Sequence, residues 1–315
     1  MPKYDKQSLA LQAKELGFTR NTLEKAFRLV EILRFINGDE RLKNNLALKG
    51  GTAINLTIFN LPRLSVDIDL DFTDNCPREI MLERRAQINS LLEKFMTADG
   101  YLLSPKSKSP HSLDSFVYSY TNAAGTNDNI KIEINYSLRA HILPESDRQI
   151  ETLSILTPLK VRALDPVEIF ATKIVALLTR AAPRDLYDLN NMVFFGLFGT
   201  SELAMLRKCV VFYTAVVGEA IPQSLTLTKM ETITPYKIKT QLLPVIRKAD
   251  TFDLHDAQKR VHEFLSELLN PDEVEIEFLR AFAARQYRPE LLFPDKPTLD
   301  KIRTHPMALW RVKDQ

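Results

Sequence analysis

The segment Asp67-Ile68-Asp69-Leu70-Asp71 constrains this chain more than any other. Three carboxylates stand at alternate positions, with Val66, Ile68, Leu70 and Phe72 between and beside them. Successive side chains of a strand point to opposite faces, so all three aspartates project from one side. Carboxylates this close repel one another, and each resists ionising beside its neighbour. A divalent cation removes the conflict, and an oxygen-rich site of this kind suits Mg²⁺ bound to a polyphosphate. The competing reading is a solvated acidic edge strand, where charge discourages aggregation. A decorative edge would more naturally mix signs than stack three like charges. Asp67 and Asp69 are the better ligands; Asp71, farther along, faces solvent or closes a turn with Asp74. The first expectation is a metal-dependent phosphoryl or nucleotidyl transfer enzyme.

Three further segments gain meaning from this strand. Lys49-Gly50-Gly51-Thr52 follows a strand-like run and opens a helical one. Glycine lets backbone N–H groups approach a phosphate closely, although a Gly-Gly pair alone is also an ordinary tight turn. In Ile130-Lys131-Ile132-Glu133-Ile134-Asn135 the isoleucines share one face and Lys131, Glu133 and Asn135 the other. If this strand lies beside the aspartates, Glu133 is a third carboxylate, acting as a base or through a second metal; otherwise it is a surface glutamate. Lys173 borders an apolar face made by Val167, Phe170, Ile174 and Leu177, where it either meets a phosphate or snorkels to water. Arg184, Asp185 and Asp188 follow, the two aspartates sharing a helical face. Helix capping and a local salt bridge are the simpler role for one of them.

With 315 residues the chain can bury a substantial core and form two subdomains. Its net charge of +2 does not announce a nucleic-acid binder. Lys106, Lys108, Lys160, Arg162, Arg180 and Arg184 either surround an anionic substrate or are solvated charges. Cys76 and Cys209 are too few for a disulfide framework and read as free thiols. No apolar run approaches the roughly 20 residues that span a bilayer, and the start lacks a secretory signal's apolar stretch. The expectation is a cytoplasmic protein with no membrane partner.

The periodicity predicts a helix from Asp5 to Leu16 stopped by Gly17, then one starting near Asn21 with Glu24 completing a capping box. Leu23, Phe27, Val30, Leu33 and Ile36 form its buried stripe, and Gly38 caps its end. From 41 to 156 short strands alternate with turns, a helix at Thr52–Phe59 and a long one at Arg78–Thr97. Phe116–Tyr120 and Ile130–Tyr136 make a hairpin. Beyond 157 the chain reads as mainly helical. Asp165-Pro166-Val167-Glu168 is a capping-box start, later helices begin near Ser201, Leu254 and Asp272, and Pro294–Pro297 is a loop. The expected division is N-terminal helices (1–40), a mixed α/β core (41–156) and a helical C-terminal domain (157–315).

Taken together, the quoted segments resemble the AbiEii/AbiGii toxin family of nucleotidyltransferases. The resemblance runs in order through Leu23-Glu24-Lys25, Leu48-Lys49-Gly50-Gly51-Thr52-Ala53, Arg63-Leu64-Ser65-Val66-Asp67-Ile68-Asp69 and Ile132-Glu133-Ile134. It continues through Asp165-Pro166, Lys173 and Arg184-Asp185-Leu186-Tyr187-Asp188 to His305-Pro306 and Trp310. Where the family often has an acid before the aromatic that follows Glu-Lys, this chain has Ala26. The resemblance implies an α+β fold, a DNA polymerase β-like nucleotidyltransferase core with a mainly helical C-terminal domain. It implies Mg²⁺ at Asp67 and Asp69, and nucleoside triphosphate contacts from Gly51, Thr52 and Ser65; Lys49, Gly50, Arg184 and Asp188 are further candidates for binding the nucleotide. Catalytic roles would fall to Asp67, Asp69, Glu133, Lys173 and Asp185, with Lys173 neutralising the departing pyrophosphate. Related toxins of the MenT type act on the 3′ end of tRNA, so tRNA and a cognate antitoxin are the implied partners. A small-molecule or protein acceptor, or a nucleotide-binding module without turnover, are the alternatives.

Overall fold

The computed structural model describes residues 4–59, 61–150, 158–218 and 227–313. They form two units. The first comprises residues 1–139, 145–164 and 244–250, and the second residues 140–144, 165–243 and 251–315.

In the first unit, α1 (Lys6–Leu16), α2 (Arg20–Gly38) and α3 (Glu40–Lys43) precede β1 (Leu46–Lys49) and α4 (Gly50–Ala53). A π-helical turn, Ile54–Ile58, leads on to β2 (Asp67–Phe72), α5 (Arg78–Ala98) and β3 (Leu102–Leu103). The strands β4 (Leu113–Thr121), β5 (Asn127–Asn135), β6 (Ser146–Ile150) and β7 (Leu159–Ala163) complete it. One seven-stranded sheet results, in the order β3-β4-β5-β2-β1-β7-β6. The pairs β2–β5 and β1–β7 are parallel and the remainder antiparallel. The expected hairpin is β4–β5. The boundary expected at 156/157 lies outside the described residues, and β7 carries the sheet beyond it.

Alternation decides the two faces of this sheet. Ile68, Leu70, Ile130, Ile132 and Ile134 are buried on one face, each isoleucine contributing on the order of 2 kcal/mol. On that face two buried ion pairs tie the sheet to helices. Arg85 of α5 bonds both Asp114 oxygens, at 2.5 and 3.0 Å. Arg28 of α2 bonds Glu24 at 2.8 and 3.0 Å and lies 4.1 Å over the Tyr120 ring. The other Glu24 oxygen accepts the Ala123 N–H at 2.8 Å, so α2 holds the turn between β4 and β5.

Several local expectations change. The second helix begins after Thr19, and Glu24 serves the buried pair with Arg28 instead of a capping box. Gly17 adopts the left-handed conformation at the end of α1, as expected (φ 77°). Gly38 ends α2 without it, and Asp39 turns the chain and caps α3. The first unit also takes back residues 244–250, which no local pattern announces. The Leu64 N–H donates to the Val245 carbonyl at 2.8 Å and Arg63 pairs with Ile246, so this segment supports the approach to β2.

The second unit is helical: α6 (Pro166–Thr179), α7 (Pro183–Phe194), α8 (Thr200–Val217), α9 (Pro235–Gln241), α10 (Leu254–Leu268), α11 (Glu273–Ala283), α12 (Lys296–Ile302) and α13 (Pro306–Val312). Asp165 caps α6 as expected, accepting the Val167 N–H at 2.9 Å. Glu168 does not complete the box. It is fully buried, accepts the Ile142 and Leu143 N–H groups, and meets His141 Nδ1 at 3.1 Å and the Tyr213 hydroxyl. The supposed loop at Pro294–Pro297 contains the Asp295 cap and first turn of α12. Phe212 centres an aromatic core with Phe278, Phe293, Tyr287 and His305, and His305 Nδ1 accepts the Ala308 N–H to cap α13. No helix among the described residues is long and apolar enough to cross a membrane.

Replacing Glu24 by Ala leaves Arg28 as a buried, uncompensated charge and the Ala123 N–H without its acceptor. The expected loss is about 3 kcal/mol, read as a lowered midpoint in chemical denaturation.

Candidate active site

The face of the sheet opposite the isoleucines carries the polar residues. β2 lies between β1 and β5, and pairing sets Lys49 against Asp69 and Asp69 against Glu133. Asp67 sits beside Lys131 in the next row but one. Directly paired residues share a face, with strands about 4.8 Å apart. Asp67, Asp69 and Glu133 therefore share one face, and the parallel β2–β5 pairing that meets the condition set for Glu133 joins residues more than sixty positions apart.

Cations meet these acids from both neighbouring strands. Lys49 Nζ lies 2.5 Å from Asp71, and Lys131 Nζ 2.8 Å from Glu133. Asp71 is consequently not a solvent-facing residue; it is 2% exposed, and Asp74 pairs with Arg84 instead. Lys49, expected at the nucleotide, is engaged with Asp71 in this structure.

The glycine turn is shaped around the carboxylate. Gly50 has φ +66°, and a Cβ there would stand 2.6 Å from Asp69 Oδ2. A side chain there would be strained and would force the Asp69 carboxylate to shift. A Cβ on Gly51 would meet the guanidinium of Arg63 at 2.6 Å. Arg63 is buried and donates to the Leu64 carbonyl at 3.2 Å. Asn55, fully buried, donates to the Gly51 carbonyl at 2.6 Å and accepts the Arg63 N–H at 3.3 Å. Thr52 is also fully buried. Its hydroxyl lies 2.7 Å from Ser65 Oγ and bonds the Asp67 carbonyl, which makes it a brace between the turn and the start of β2. Sequence reasoning assigned no role to Asn55 or Arg63. Arg63 stood inside the quoted motif, whereas nothing in the sequence marked Asn55.

Among the described residues no group of three or more His, Cys, Asp or Glu side chains is disposed to hold a metal ion by itself. The donor set still fits Mg²⁺ of the substrate-bound kind. That ion takes one or two carboxylates, with phosphate oxygens and waters completing its shell. Asp67 and Asp69, two residues apart on one strand face, offer that pair of hard oxygen donors.

In the second unit, Lys173 is buried between Asp185 (3.0 Å) and Asp188 (3.2 Å), and Arg180 bonds Asp185 at 3.0 Å. Burial disfavours an ionised Asp185, but the charges of Lys173 and Arg180 and their hydrogen bonds outweigh it and lower the group to about 2. The apolar setting of Lys173 is thus met by paired acids, not by snorkelling. Arg184, at the start of α7, enters no ion pair among the described residues. Arg162 binds Glu145 and the Lys43 and Asn44 carbonyls, a structural use of a residue considered for substrate. Cys76 and Cys209 are free thiols.

A profile of the family described as nucleotidyl transferase AbiEii toxin, type IV TA system, matches residues 33–284. The chain belongs to this family. It is a nucleotidyltransferase of the AbiEii toxin class, a component of type IV toxin–antitoxin systems. Among solved structures, the AbiEii chain is similar to MenT4, a nucleotidyltransferase toxin from Mycobacterium tuberculosis H37Rv. The two are 16% identical with a TM-score of 0.63, over 99% of this chain and 100% of that one. At that identity the likeness is one of fold, and it bears out the mixed-sheet nucleotidyltransferase architecture. A CdnC:HORMA-deltaN complex from E. coli MS115-1 is 13% identical over 99% of this chain and 98% of that one, with a TM-score of 0.26. A comparison with curated protein sequences finds no match.

Two outcomes are expected from this geometry. Gly50→Ala should displace the Asp69 carboxylate and lower pyrophosphate release by about 100-fold, with secondary structure retained by circular dichroism. The second concerns acid. Because the folded value of Asp185 lies below its ordinary 3.8, its contribution is full above that value and is lost as pH falls through about 2. Urea unfolding of wild type should therefore lose on the order of 2 kcal/mol more between pH 6 and pH 2 than Asp185→Asn does.

Proposed function

We propose that this nucleotidyltransferase moves a nucleoside monophosphate from a Mg²⁺-bound nucleoside triphosphate onto the 3′ end of tRNA, and that this transfer is its toxic act. The observation that carries the reading is the register that sets Glu133 beside Asp69, with Asp67 two residues away on the same face. Two carboxylates suffice for a substrate-bound metal, and a third acid is left for the acceptor.

In this reading Asp67 and Asp69 hold Mg²⁺, which when bound offsets negative charge on the phosphates. The backbone of Gly50 and Gly51 and the hydroxyl of Ser65 bind phosphate oxygens. Thr52 keeps Ser65 and Asp67 in place through its buried hydroxyl. Glu133 orients an acceptor hydroxyl and takes its proton as the oxygen attacks the α-phosphorus in line and pyrophosphate departs. Lys131, already beside Glu133 at 2.8 Å, aims that carboxylate. Positioning and electrostatic stabilisation supply most of the rate gain.

The deciding measurement incubates purified protein with total tRNA, Mg²⁺ and each labelled triphosphate in turn, with Asp67→Asn alongside. Label on tRNA that falls by about 100-fold or more in the variant is the expected result, and it names the nucleotide. Label on protein or a small molecule instead would overturn the tRNA assignment while keeping the transfer. Nucleotide binding with no pyrophosphate release would remove the transfer as well.

A further inference from the structure

The carboxylate row does not end at Glu133. On the other side of β5, Glu133 pairs with Ser115 of β4, and Ser115 pairs with Lys108 across an isolated antiparallel bridge. Lys108 and Ser115 exchange both backbone hydrogen bonds, at 2.9 and 2.8 Å. A single lateral line therefore runs Lys49, Asp69, Glu133, Ser115, Lys108 across five strand-like segments. Ser107, the residue between the two lysines of Lys106-Ser107-Lys108, is fastened to the same strand. Its hydroxyl accepts the Val117 N–H at 3.0 Å and donates to the Val117 carbonyl at 3.4 Å. The Ser104 N–H also donates to Val117, at 2.8 Å. The segment is thus held as an extra edge of the sheet, not as a free loop.

Its charge has no internal explanation. Lys106 and Lys108 are both exposed, and among the described residues neither enters an ion pair. The acids nearest in register have other cations: Glu133 has Lys131, Asp128 has Lys25, and Asp114 is buried on the opposite face with Arg85. Between Lys108 and Glu133 the sheet offers the uncharged Ser115; the next row on that face holds Val117 and Lys131, and the row beyond it Ser119 and Asn129. Lys108 stands about three strand spacings, roughly 14 Å, from Asp69, and Lys106 lies two residues before it in the turn that Ser104 and Ser107 close. That is too far for a group bound at the carboxylate pair itself. It suits a chain of phosphates that extends from an end seated there, and whose approach to three acids needs compensating positive charge.

We infer that Lys106 and Lys108 bind the phosphodiester backbone of the acceptor RNA strand, guiding its 3′ end along the Ser115 row to Glu133. The inference rests on the proposed transfer to RNA and adds the surface by which that acceptor is held. Phosphate contacts of this kind position a strand without reading its sequence.

The test is binding of tRNA and of a single-stranded RNA oligonucleotide by fluorescence anisotropy across a salt series, with tRNA labelling run in parallel. For Lys106→Ala/Lys108→Ala, affinity for the oligonucleotide should fall about 10-fold at low salt. The slope of log Kd against log salt should decrease by roughly 1.4, two phosphate contacts on a single strand. Triphosphate affinity and Tm should be unchanged, and Lys106→Arg/Lys108→Arg should restore binding. The control Lys239→Ala/Lys259→Ala, which removes two exposed lysines from the second unit, should leave the slope as in wild type. Unchanged affinity and slope in Lys106→Ala/Lys108→Ala, or a wild type that binds no RNA, overturns the inference. Lysine-dependent binding without label on tRNA would support this surface and overturn the tRNA transfer. Label on tRNA with unchanged KM in the alanine variant would do the reverse.

Discussion

Repulsion among Asp67, Asp69, Asp71 and Glu133 is the constraint around which the first unit is arranged. Four acids on one face of two adjacent strands would destabilise any sheet that offered them nothing. The fold answers with Lys49 from one neighbouring strand and Lys131 from the other, each paired to one acid. Asp67 and Asp69 stand between these lysines at the centre of the row, the pair proposed to hold a substrate-bound cation. The arrangement is thus a compromise: positive charge from both neighbouring strands offsets part of the repulsion, and the proposed metal with its triphosphate would offset more of it.

Packing around this centre leaves little freedom. The missing Cβ atoms of Gly50 and Gly51 are occupied by Asp69 on one side and Arg63 on the other. Thr52 and Asn55 spend their polar atoms on the motif's own backbone and on Ser65. A polar group buried without a partner is costly, so each of these hydrogen bonds also fixes a position. Thr52 and Asn55 thus place the residues proposed to meet phosphate.

What the sequence disclosed follows from how local each signal is. Strand alternation is a property of neighbouring residues, so the aspartate face, the isoleucine face and the β4–β5 hairpin could be read directly. The buried stripe of α2 could be read for the same reason. Pairing between distant strands has no local signal, so the meeting of Asp69 with Glu133 stood only as a condition. Buried acids were misread most often. Glu24 and Glu168 stand where capping boxes would put them, and only tertiary burial shows that they serve Arg28 and Ala123 in one case and His141 and Tyr213 in the other. Asn55 was missed because an asparagine in an apolar run has no periodicity to mark it.

The return of residues 244–250 to the first unit gives the site a place in time as well as in space. During synthesis, Ser65, Asp67 and Asp69 leave the ribosome long before Val245 exists to accept the Leu64 N–H. Domains ordinarily fold as units in the order they emerge, but here the segment entering the aspartate strand lacks one of its supports until about 180 further residues have been made. A nascent or prematurely ended chain carries every residue of the aspartate motif and an incompletely supported version of its geometry. For a member of a toxin family, the thread of the polypeptide itself delays the finished site until long after the aspartate motif has emerged.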